Sequence, residues 1–192
     1  MPTVNDPNGK PANVNAAGHL ETEAIVHSAE HYANHIGEDA YQVPFAVNPA
    51  GADDCIFYLK NTSERALIIE GFSYASSAAE EIYIEINNAG TAVATSGATL
   101  TPANMNAGSG KEADAICISA TGDAAVDITG LSTGREVERL WITAAADKTF
   151  HNFEMDVVLP KNKAFSIWCV GGDTNIRGTV CFYYHANVAN SN

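Results

Sequence analysis

Residues 81–87 read EIYIEIN, with Ile82, Ile84 and Ile86 alternating strictly with Glu81, Tyr83 and Glu85. Successive side chains of a strand point to opposite faces, so this stretch has one face for a core and one for water. It belongs to a series. CIFYLKN (55–61), ALIIEGFSYA (66–75), ADAICISA (113–120), AVDITGL (125–131), REVERLWITAA (135–145), FEMDVVLP (153–160), AFSIWCVGG (164–172) and RGTVCFYYH (177–185) have strand composition. Turn-forming segments such as TSER, NNAG, TGDA, STG, PKNK and GGDTN separate several of them. Short strands at this spacing predict an all-β, antiparallel β-sandwich or barrel. No strand–helix alternation accompanies them, which excludes a parallel α/β sheet, and no internal repeat points to a solenoid or propeller.

The chain divides into an N-terminal part, 1–49, and a sandwich domain, 50–192, whose folded body is expected to end near residue 187. Residues 1–18 carry Pro2, Pro7, Pro11, Gly9 and Gly18 without a hydrophobic period, as an extended arm would. HLETEAIV (19–26) partly alternates and predicts a short strand. Ser28 then fits an N-cap and Gly37 a helix stop, leaving room for about two turns between them. Residues 88–112, NAGTAVATSGATLTPANMNAGSGKE, are long, polar and poor in bulky side chains, so they predict an exposed excursion.

The formal net charge is −13, and the ten Lys and Arg residues are scattered singly, which argues against nucleic-acid binding. No run of apolar residues is long enough for a membrane span, and the N-terminus lacks the apolar core of a secretory signal. Cys55, Cys117, Cys169 and Cys181 have no CxxC pairing, so reduced, buried thiols are expected.

His27, His31 and His35 recur every fourth residue after Glu23, a spacing that on one helix would align imidazoles for a metal. A helix starting after Ser28 leaves only His31 and His35 on a shared face. Tyr32, Ala33 and Asn34 between them exclude the HExxH pattern with its general base. Metal binding is therefore not expected from this isolated HxxxH. Neither a GxSxG elbow nor GxxxxGK[ST] occurs, and the acidic pairs Glu80–Glu81 and Asp53–Asp54 fall in turns. No catalytic set and no cofactor site are expected, and the chain reads as a binding protein rather than an enzyme.

Three stretches resemble a group of tailed-bacteriophage jelly-roll virion proteins. GHLETEAIVHSAEHYANHIGEDAYQV (18–43) is similar to their His/Ala-rich N-terminal segment ending in Gly-Asp-Ala-Tyr, with Gly-Glu-Asp-Ala-Tyr here. CIFYLKNTSERALIIEGF (55–72) resembles their opening hairpin, and GTAVATSGATLTPANMNAGSGKEA (90–113) their Thr-Pro-x-Asn-x-Asn excursion. The resemblance implies a jelly-roll capsid decoration, or cement, protein on the outer surface of the head, made in the host cytoplasm. It also implies a homo-oligomer, commonly a trimer, that binds the major capsid protein across capsomers. A head- or tail-fibre component binding a host surface glycan is the alternative. On the decoration reading, Val4, Val14 and Leu20 are expected to anchor the arm, and His31, Tyr32, His35 and Tyr41 to line a capsid or subunit contact.

Overall fold

The computed structural model describes residues 29–49, 51, 53–87, 93–121, 125–126, 128–129, 135–143, 148–172 and 174–189. The strand expected at 19–26, the Ser28 cap, His27 and the anchors Val4, Val14 and Leu20 lie outside the described residues. Among the described residues one helix, α1 (Ala29–His35), precedes thirteen strands. These are β1 (Ala40–Val47), β2 (Asp54–Asn61), β3 (Arg65–Ser76), β4 (Glu80–Asn87), β5 (Val93–Ala94), β6 (Ala98–Leu100) and β7 (Ala103–Asn104). They continue with β8 (Ala115–Ser119), β9 (Ile128–Thr129), β10 (Arg135–Ile142), β11 (Thr149–Leu159), β12 (Ala164–Cys169) and β13 (Ile176–Ala189).

Two antiparallel sheets face each other, one in the order β11–β3–β13–β1–β7 and the other β10–β4–β12–β2–β8–β6. This is the all-β sandwich that the alternating stretches imply. Ile82 and Ile84 are fully buried and Ile86 packs against the same core. The apolar run of β2 is buried from Cys55 to Asn61 at the middle of its sheet. Aromatic pairs join the layers: Phe45 lies 5.1 Å from Phe57, and Phe153 meets Phe165 edge-on at 6.2 Å. All four cysteines are free, with Cys55, Cys117 and Cys169 buried and Cys181 partly so. Burial pushes the Cys117 thiol up to about 12.

Three details depart from the sequence expectations. First, residues 40–47, placed in the N-terminal part above, are β1. They pair with β13 along their whole length, with Tyr41, Val43, Phe45 and Val47 in the core. The sandwich therefore begins at Ala40, not near residue 50. Pro44 is tolerated because β7 covers only Tyr41 and Gln42, and among the described residues no strand pairs with that side of β1 beyond them. Second, the polar excursion is not merely exposed. Its β6 extends one sheet beside β8 and its β7 extends the other beside β1, so it laces the two sheets along one margin. Third, of the strand expected at 125–131, the described residues show only Ile128–Thr129, in a two-stranded ribbon with β5.

Phe57 fills the space between the layers without exposure. Phe57→Ala is expected to lower unfolding stability by about 3–5 kcal/mol, read from the midpoint of urea denaturation at an unchanged m-value.

Candidate contact surface

Helix α1 lies on the outer face of the five-stranded sheet. A cross-strand row of Ala40, Tyr183 and Ile68 on that face receives Ala33, the one buried residue of the helix. Seven residues make too short a helix to persist alone, so its place depends on tertiary anchors. The excursion supplies several. Asn106 Nδ2 donates to the Asn34 carbonyl (3.4 Å), Asn104 Nδ2 to the Glu38 carbonyl (2.9 Å), and Lys111 Nζ to the Gly37 carbonyl (2.5 Å). The Met105 amide donates to the Ala40 carbonyl at 2.9 Å.

Asp39 ties these parts to the sandwich. Its amide donates to the Ala33 carbonyl at 2.8 Å, closing the helix C-terminus, and its carbonyl accepts from the Tyr184 amide at 3.1 Å. Its buried carboxylate receives both Arg65 terminal nitrogens, at 2.5 and 3.1 Å, with Lys111 Nζ at 3.5 Å. The Arg65 guanidinium also stacks 4.8 Å over the Tyr184 ring. Hydrogen bonding to Asp39 raises the Arg65 pKa above its ordinary value, so the guanidinium is charged at any working pH. One aspartate thus joins α1, the starts of β1 and β3, the end of β13 and the excursion.

Three of the expected contact residues come together on the outward side of this assembly. His31 and His35 are exposed with ring centroids 4.8 Å apart, and Tyr32 is 45% exposed. Tyr41 does not join them. It is 1% exposed, stacks on Phe182 at 5.5 Å and donates its hydroxyl hydrogen to the Glu112 carbonyl at 3.2 Å. The period of β1 turns it inward with Val43 and Phe45, so it is a core residue and not a contact residue. Two residues not anticipated from sequence complete the patch: Ile36, 60% exposed, and Met105, 45% exposed. Asn34, His35, Met105 and Asn106 border a hollow of about 190 Å³ between helix and excursion. Ile36 falls in the helix stop and Met105 in a polar stretch, so no periodicity marked them.

A second apolar surface runs along the open side of the sandwich, where edge strands β10 and β11 meet. Val137, Met155 and Val158 are exposed there, and Trp141 and Phe150 are exposed elsewhere on the same two edge strands. Between the strands lies a groove of about 550 Å³, bordered by Val137, Met155 and Val158. His151 Nε2 and Glu138 Oε2 are hydrogen-bonded at 2.8 Å, linking the edges of the two sheets. Both edge strands have register shifts, at Glu136–Glu138 and at Asn152–Val157, and β10 carries Arg135, Glu136, Glu138 and Arg139. Bulges and charges of this kind keep an edge from pairing with another chain's strand. On the outer face of the same sheet, Arg139 stacks on Tyr83 at 5.0 Å, and Tyr83 on Trp168 at 5.8 Å.

Among the described residues, no three His, Cys, Asp or Glu side chains are grouped to hold a metal. No described helix is long and apolar enough to cross a membrane. No family model matches the chain, and neither a curated protein nor a solved structure matches it.

Two predictions follow from the surroundings of α1. Asp39→Asn leaves Arg65 and Lys111 without their counter-charge and is expected to cost about 2 kcal/mol. Denaturant titration reads the loss, and hydrogen exchange should show the α1 amides losing protection first. Glu70 stands beside Glu30 and Asp156, and burial, then these two acids, raise its pKa. A raised carboxyl pKa means that the folded state holds the proton to higher pH, so stability falls as pH rises through that value. Glu70→Gln should therefore melt higher than the parent at pH 7, with the difference vanishing at about pH 3, below the ordinary glutamate value.

Proposed function

We propose that the chain is a structural component of a tailed-bacteriophage virion: a jelly-roll-type decoration protein on the outer surface of the head, bound to the major capsid protein. On this reading it works by attachment, with no catalytic step, no cofactor and no contact with nucleic acid or membrane. The supporting observation is spatial. The stretches that carry the resemblance, 18–43, 55–72 and 90–113, converge where they are described. Asp39, Arg65, Asn104 and Lys111 draw one to another. The outward side of that junction carries His31, Tyr32, His35, Ile36 and Met105, apolar and aromatic area with polar rims of the kind that seats one protein on another.

Attachment of this type gains strength from number. A trimer would present three such patches, and each additional contact becomes intramolecular once the first is made.

The fibre alternative is favoured by one feature. Trp141, 66% exposed beside Arg139 on the six-stranded sheet, has an aromatic surface open to a sugar ring.

Removal of residues 1–18 separates attachment from folding. The shortened chain is expected to keep the circular dichroism and melting profile of the full chain, yet to leave undecorated heads largely bare after co-sedimentation and gel densitometry. Normal occupancy by the shortened chain would overturn the arm's role. Full-length protein found in only a few copies per particle would favour the fibre alternative.

A further inference from the structure

We propose that His31 and His35 form a two-imidazole chelate on α1 for a late first-row divalent metal ion of the zinc, nickel or copper class. The inference does not depend on the virion reading. Its basis is the geometry of the pair. The two residues are one helical turn apart, both are exposed, and their ring centroids lie 4.8 Å apart with a 30° tilt between planes. Two imidazoles bound to one ion at about 2.0–2.1 Å, subtending roughly 90–110° at the metal, have centroids roughly 4.5–5.2 Å apart. The observed separation falls inside that range before any ion arrives.

The backbone that carries the pair is held in place. Ala33, between them, is buried against Ile68 and Tyr183. The Ala33 carbonyl accepts from Asp39, the Asn34 carbonyl from Asn106, and the Gly37 carbonyl from Lys111. A chelate held this way loses little conformational freedom on binding, which favours affinity. Imidazole nitrogen selects zinc, nickel and copper over magnesium and calcium, which demand oxygen ligands. Among the described residues no third His, Cys, Asp or Glu is grouped with the pair. The isolated HxxxH pattern argues against metal binding in the sequence; the ring separation in the fold is the observation that reopens it. An ion here would place a positive charge at the centre of the Tyr32, Ile36 and Met105 patch.

Isothermal titration of the full chain with zinc chloride, and separately with nickel chloride, tests the assignment. One equivalent of each metal is expected to bind. His31→Ala and His35→Ala should each weaken binding by at least about tenfold, because either change turns a chelate into a single ligand. His185→Ala should bind as the parent does. Both substituted residues are exposed, and unchanged melting temperatures without metal will show that the variants are folded. In parallel, substoichiometric nickel should broaden the ring-proton NMR signals of His31 and His35 first. Absence of saturable binding of either metal, or His31→Ala and His35→Ala proteins that bind like the parent, would overturn the proposal.

Discussion

The bidentate pairing of Arg65 with Asp39 is the contact on which the α1 end of the molecule depends. A seven-residue helix, a polar excursion and the first residues of two strands have little reason to assemble by apolar burial alone. Ala33 is the single buried residue of α1, and the excursion contributes few bulky side chains. Asp39 resolves this by using every polar group it has. Its amide ends the helix, its carbonyl joins the β13 ladder, and its carboxylate gathers the cations of β3 and the excursion. Removing the pair would leave the sandwich core intact and the α1 end loose. The contribution is therefore more to shape than to total stability, in keeping with the modest net value of a partly exposed ion pair.

The core obeys a simpler constraint. Two sheets with apolar inner faces must cover each other, and the ring pairs Phe45–Phe57 and Phe153–Phe165 span the gap between them. The two long margins of such a sandwich are treated differently. Along one, β6 and β7 of the excursion extend both sheets. Along the other, β10 and β11 are the outermost of the described strands, and bulges, charges and the His151–Glu138 bond occupy that margin. The exposed apolar side chains there, Met155 at 85% above all, accompany edges unsuited to strand addition, so any partner on that side meets side chains rather than a ladder.

The alternating stretch 81–87 and the apolar run of β2 were legible because their periods admit one buried face or two. Strand β1 has the same alternation, but Pro44 interrupts its hydrogen-bonding capacity, and only the partial cover by β7 shows why that is harmless. Tyr41 illustrates the other limit. A tyrosine beside a helix stop reads equally well as a contact residue or as core, and only the strand register turns it inward toward Phe182. Ile36, Met105 and Trp141 carry no local signal, since exposure at a helix end, a loop or a sheet edge depends on what packs nearby.

By itself, then, the sequence determined the class of the fold and the helix that bears His31 and His35. Periods of two and 3.6 residues and the turn residues between them act over a few neighbours, and these local rules are enough to place most elements. The tertiary structure alone decided which strands became edges, how the excursion joined both sheets, and which side chains around α1 stayed in water. Those outcomes depend on pairings between residues far apart in the chain, such as Asp39 with Arg65 and Lys111, whose partners no local pattern names.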